Sequence, residues 1–248
     1  ERSRPAIVEG DRTVDYATLE SRSRDIACAV KATIVDSSGF RLLTEQGGGK
    51  FERLPLDGVN ATDEALFDSL PAPLQETALH FEDSLNRLSP TGKDGTTAGA
   101  LLWEAWHENE FGCSPNETPM ECELRVHRPS FVLIMVGTHW EGARNEFYMR
   151  QILDTLLERG VVPILSTKAD NREGDHSVNL QTAKLAAEYN IPLWNFWPVT
   201  GSLPNRGLYT RDTERHLGDV YLTDAALDLH RYSALLALDA VWRAATGN

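Results

Sequence analysis

Two patterns alternate along the second half of the chain. Residues 131–136 (FVLIMV) form an unbroken apolar run, the mark of a strand buried on both faces. Residues 145–159 then carry Phe147, Ile152, Leu156 and Leu157 on one stripe at helical spacing and stop at Gly160, which suits a left-handed C′ position. Residues 161–165 predict the next strand, 178–189 a helix, and 191–196 a further strand. Residues 224–245 predict a terminal helix bearing Leu227, Leu235, Leu236, Leu238, Val241 and Trp242. Strand and helix in regular alternation imply an α/β fold with a mainly parallel sheet.

The first half is less regular. Residues 14–30 predict a helix with Asp15 as its N-cap and Leu19, Ile26 and Ala29 on a loose stripe. Residues 32–35 are a short apolar strand that runs into Asp36-Ser37-Ser38-Gly39. Such a stop, apolar strand into small polar residues, is where α/β folds place their chemistry. Residues 62–69 and 73–88 read as helices. Residues 93–97 predict a turn leading into a helix over 98–108. Gly47-Gly48-Gly49 is a flexible turn and no phosphate loop, because the Lys-Ser/Thr ending is absent. No repeat or low-complexity linker divides the chain, so residues 1–248 are expected to form one domain.

Composition narrows the partners. The formal charge of −13 argues against nucleic acid and against anionic lipid, both of which are bound through Lys and Arg. No stretch approaches the roughly 18 apolar residues of a membrane helix. Of the three cysteines, Cys113 and Cys122 bracket the polar segment CSPNETPMEC. Two cysteines closing such a loop point to a disulfide and a secreted or extracellular location; the alternative is two free thiols. Cys28 lies on an apolar helix face and reads as a small buried hydrophobe. Asn60 and Asn116 begin Asn-x-Thr sequons, which also arise by chance.

Nucleophilic hydrolysis requires a hydroxyl at an exposed turn, a base, an acid to orient it, and donors for the oxyanion. Ser37 is the candidate nucleophile; the competing expectation is that Asp-Ser-Ser-Gly is only a turn. The spacing of His139 and Glu141 supplies no third metal ligand, so no metal site is expected. The tryptophans, among them Trp103, Trp106, Trp194 and Trp197, are expected in the core or lining a groove.

The segments RPSFVLIMVGTHWEG, ERGVVPILST and AAEYNIPLWNFW together resemble the SGNH/GDSL hydrolases, most closely secreted bacterial members with a cysteine-bracketed loop ahead of the third block. The likeness covers residues 85–245 in good register and reaches back towards residue 31. It implies a three-layer α/β/α sandwich with a flavodoxin-like sheet, ester hydrolysis on lipids or acylated sugars, and no metal or organic cofactor. The family's Gly-Asp-Ser block appears as Val35-Asp36-Ser37. Gly95 in DGTTAG fits the second-block oxyanion donor. The third block appears as Gly137-Thr138-His139-Trp140, with His139 where the family has a donor Asn. Loss of one such donor costs about 10²–10³ in rate.

The last block fits worst. The family's Asp-x-x-His before the terminal helix appears as Gly218-Asp219-Val220-Tyr221, so Tyr221 stands at the base position. A phenol with a pKa of about 10 is a poor base at neutral pH. Substitute bases are His230 with Asp228, or His216 with Asp212. On one continuous helix, however, His230 lies about 9 Å beyond the block, so a half-buried helix residue is the competing expectation.

These residues support two functions. One is a catalytically degenerate domain that binds or assembles with a small-molecule ester, a glycan or a protein partner. The other is an active serine esterase with an altered triad. A further likeness, of RPAIVEGDRTVDYATL to the start of adenylate-forming enzymes, is treated as chance because none of their phosphate-binding motifs is present after it.

Overall fold

A computed structural model describes residues 5–9, 12–15, 68, 70–85, 89–91, 96–106, 112–136, 142–210 and 220–247. The expected strand at 32–35, the turns at 36–39 and 47–49, residues 62–67 and the turn at 93–95 lie outside the described residues.

The main sheet is parallel. Strands β3 (Phe131–Ile134), β4 (Val162–Ser166) and β5 (Leu193–Trp194) lie side by side in that order. Phe131 pairs with Val162 and Leu165 with Leu193. Strand β4 is central and every residue of it is buried. Helix α4 (Gly142–Glu158) links β3 to β4, and helix α5 (Ser177–Glu188) links β4 to β5. Parallel neighbours require such crossovers.

Side chains alternate between the two faces of β3 because the strand period is two. Val132, Ile134 and Val136 pack with Met149, Ile152 and Leu156 of α4 and Leu185 of α5. Phe131, Leu133 and Met135 face the other way, towards Leu229, Leu238 and Val241 of helix α7 (Asp224–Thr246). Helices thus cover both faces, a layout compatible with an α/β/α sandwich. Helix α1 (Ala72–His80) packs on the outside of α7 through Leu74, Ala78 and Leu235.

Local signals set the boundaries. Helix α3 (Pro119–His127) opens with a capping box, in which Thr118 Oγ1 accepts the Glu121 N–H at 3.2 Å and Glu121 Oε2 accepts the Thr118 N–H at 2.9 Å. This helix takes the second half of the cysteine-bracketed segment, which sequence patterning reads as a loop. Gly160, with φ +76°, ends α4, and the Val161 N–H returns to the Leu156 carbonyl at 2.9 Å. Helix α7 starts at Thr223, whose hydroxyl accepts the Ala226 N–H at 3.4 Å.

Five expectations are corrected. Val14 and Asp15 are not helical; they end strand β2 (Arg12–Asp15), which pairs antiparallel with β1 (Pro5–Glu9). The helix over 73–88 breaks at Phe81, whose ring packs edge-on against Phe131 and Trp242, and resumes as the single turn α2 (Glu82–Leu85). Residues 98–106 form two 3-10 turns instead of an α-helix. The Trp106 indole N–H donates to Thr96 Oγ1 at 3.0 Å, whereas an α-helix would hold residues ten apart at about 15 Å. Phe147 is 61% exposed because it lies opposite the buried stripe of Asn145, Met149, Ile152 and Leu156. Strand β5 is only two residues long, and Phe196 already opens the single turn α6 (Phe196–Val199).

Candidate functional site

Parallel strands point their carboxyl ends to one edge, and open α/β sheets carry their ligands at that edge. In this chain the edge is built by the segments after β4 and β5 and by the first turns of α7.

Beyond β4 the chain turns sharply polar. Thr167 Oγ1 donates to Asn195 Oδ1 at 3.0 Å and accepts the Trp197 N–H at 2.9 Å, so it pins the two strand ends together. Lys168 is buried, and its Nζ lies 2.6 Å from both Asp170 Oδ1 and Glu173 Oε2. All three side chains are at most 4% exposed. Burial pushes the Asp170 carboxyl above its usual range, against the opposing pull of the Lys168 ammonium. Asn179 of α5 clamps the Lys168 backbone from both sides, accepting its N–H at 2.9 Å and donating to its carbonyl at 3.0 Å.

Beyond β5, the Arg206 guanidinium lies 3.5 Å above the Trp197 ring and donates to the Trp197 carbonyl. His176 meets the same ring edge-on at 4.9 Å. Asn205, Arg206 and Gly207 all have left-handed backbone. Only glycine fits the last position: a Cβ on Gly207 would sit 2.5 Å from Ala226 Cβ in the first turn of α7. The Thr223 N–H closes the join on the Gly207 carbonyl at 2.7 Å.

On α7, His230 is half-buried against this edge. Its ring lies 4.7 Å from Trp194 and 5.1 Å from Phe196, and its Nε2 is 3.0 Å from Met135 Sδ. Burial among these groups, with the Arg231 charge as a lesser cause, lowers the imidazole pKa to about 3. Asp228 is buried elsewhere: its Oδ1 accepts from Arg231 Nη1 at 3.2 Å. Residues two apart on a helix do not share a face, so helical spacing sets the Asp228 and His230 side chains on different sides of α7. Tyr221 is exposed, just ahead of α7, and its backbone carbonyl accepts the Tyr209 N–H.

Asp36, Ser37, Gly95, His139, Asp212, His216 and Asp219 lie outside the described residues. Cys113 and Cys122 are bonded as a disulfide, with Cα atoms 5.3 Å apart. Among the described residues no helix is long and apolar enough to cross a membrane, and no group of three or more His, Cys, Asp or Glu is placed to hold a metal ion.

Family models, curated proteins and solved structures offer no match to this chain. Its chemistry therefore rests on the residues themselves. Sequence patterning does not single out the Lys168–Asp170–Glu173 cluster; its one signal is STKADNREGD directly after an apolar strand. The chain places ionisable groups there at a strand end, where a turn needs none.

Proposed function

We propose that this chain is an SGNH/GDSL-hydrolase-like extracellular domain that binds an acyl ester, a glycan or a protein partner without turning it over. The observation that carries this reading is the buried ion pair of Asp228 with Arg231. A catalytic base must hold a proton in the transition state and needs an acid to orient it. His230, with its pKa lowered to about 3, resists the proton, and Asp228 is engaged with Arg231. The pattern agrees with the two sequence departures, His139 for an oxyanion Asn and Tyr221 for the base. The parallel β3–β4–β5 order, helices on both faces and the disulfide ahead of β3 support the family likeness and the extracellular setting.

A fluorophosphonate probe and short-chain acyl esters test this directly. The expected result is folded protein that is neither labelled at Ser37 nor active on the esters. Labelling at Ser37, with turnover abolished by Ser37→Ala, would establish the serine esterase instead.

A further inference from the structure

Arg206 stands at the carboxyl edge of the sheet, in the segment between α6 and α7. Its guanidinium lies flat on the Trp197 ring at 3.5 Å and gives one N–H to the Trp197 carbonyl. A guanidinium carries five N–H donors and a full charge at neutral pH. Arg125, Arg150, Arg231 and Arg243 each pair with a carboxylate. Arg206 pairs with none among the described residues. Its Nε is buried without an acceptor, and burial, with no carboxylate to oppose it, pushes its pKa below the usual value. Nη1 lies beside Gly201. A Cβ on Gly201 would sit 3.9 Å from Nη1 and, its chain neighbours aside, meet no other atom within 4 Å, so the space beside Nη1 is open. Gly201 is exposed and its φ is not left-handed, so its backbone does not require glycine. The chain holds this arrangement against strain. Asn205 and Arg206 both have left-handed backbone, at φ +47° and +54°, and His176, at +58°, closes on the edge of the same Trp197 ring at 4.9 Å. Left-handed residues other than glycine cost free energy and gather at ligand clamps.

We propose that Arg206 and the open space over Gly201 form a site for the carboxylate of a small monoanionic ligand. The charge selects an anion. A half-buried cation without a counter-ion is costly, and a bound anion removes that cost. A water molecule satisfies a donor but leaves the charge unbalanced. The planar fork of a guanidinium matches the two coplanar oxygens of a carboxylate. One guanidinium balances one negative charge, so the match is a monoanion and not a phosphate dianion. Lys168, at the same edge, is already held by Asp170 and Glu173. An ester or a neutral glycan makes no use of the Arg206 charge, so this site stands or falls apart from the behaviour of Ser37.

The test follows the Arg206 Nε–H and Trp197 indole resonances of the whole chain by NMR during titration with sodium propionate near neutral pH. Ionic strength is held constant with sodium chloride, and propionamide, the neutral counterpart of the same shape, is the control. Saturable shifts with propionate and none with propionamide are expected, with a Kd of about 5–100 mM, the strength of one charge-assisted pair. Arg206→Gln, which removes the charge, should abolish saturation. Gly201→Leu fills the open space and keeps the charge; at an exposed position it should leave the fold intact and weaken binding by about tenfold or more. Unsaturated shifts with propionate, or equal shifts with chloride alone, would show an adventitious ion only and overturn the proposal. So would inorganic phosphate binding more tightly than propionate, or propionate binding that is unchanged in Gly201→Leu.

Discussion

Asp228 gives its carboxylate to Arg231, while His230, two residues further along α7, packs its ring against Trp194. One helical register therefore feeds two environments, an ion pair in the core and an imidazole at the sheet edge. The imidazole makes stability depend on acid. Its pKa falls from 6.5 to about 3 on folding, so the folded state binds fewer protons than the unfolded chain. Its contribution is complete above pH 6.5 and is lost as pH falls towards 3. The full loss is on the order of 5 kcal/mol, of which about 3 kcal/mol is reached by pH 4. His230→Phe should match the wild type within about 1 kcal/mol at pH 7 and be the more stable protein at pH 4. Urea unfolding at the two pH values measures this. Equal acid sensitivity of both proteins would refute it.

The Asp228–Arg231 pair is buried on both sides, at 2% and 5% exposure. Removing one partner leaves a charge in the core without its counter-ion. Arg231→Met should therefore cost about 3–5 kcal/mol. Replacing both, as Asp228→Leu with Arg231→Met, should recover most of that loss, because well-packed apolar residues substitute for buried ion pairs with little penalty. Denaturant midpoints of the two variants decide the point; a double variant no better than the single would count against it.

Lys168 is the counter-ion of two buried carboxylates, so Lys168→Met should be more damaging near neutrality than in acid. At pH 7 the loss should be about 3–5 kcal/mol. Protonation of Asp170 at lower pH relieves the repulsion between the two carboxylates. The direction for Asp170 comes from its raised folded pKa: its stabilising contribution is present below 3.8 and is lost as pH rises through the folded value. The difference between variant and wild type in thermal or urea unfolding should shrink steadily from pH 7 to pH 4. A difference independent of pH would mean that Lys168 acts by packing alone.

The parts of the fold legible in the sequence are those that burial dictates locally. The FVLIMV run becomes strand β3, though only over Phe131–Ile134 and with Ile134 alone fully buried in it; the stripe ending at Gly160 becomes α4 without Phe147, and the long apolar face of α7 is buried as expected. Residues 98–106 escape such a reading because their helical composition is overruled by contacts elsewhere in the chain: Gly99 lies against the Tyr148 ring, and Trp106 returns to Thr96. Helix α3 is hidden although Thr118 and Glu121 carry a capping signal, because the cysteines and prolines around it suggest a loop. For the candidate site, the pairing of Asp228 with Arg231 instead of His230 agrees with helical spacing alone. The clamp of Lys168 between Asp170 and Glu173 is local to one connection, but Asn179 of α5 holds the Lys168 backbone from another element, which periodicity does not encode.

The Cys113–Cys122 bond closes a short loop whose far half is the first turn of α3. Its expected worth is set by that length: closing a loop of about ten residues stabilises by roughly 2–3 kcal/mol through the unfolded chain. The loop has a second fastening. Arg125 of α3 donates to Glu117 Oε1 at 2.5 Å and to the Gly112 carbonyl at 2.7 Å, and this contact holds the Glu117 carboxyl down to about 2. That pair is solvent-exposed, and exposed pairs of this kind contribute little. Cys113→Ser with Cys122→Ser should therefore lose most of the bond's contribution, and reduction of the wild type should lose the same amount. The damage should stay local, because Met120 and Leu124 still anchor α3 in the core beside Ile152. Hydrogen exchange is the discriminating measurement: protection should fall across residues 112–127 and persist in β4 and α7. Loss of protection throughout the sheet would show that the bond supports the whole fold and that α3 is not independently seated.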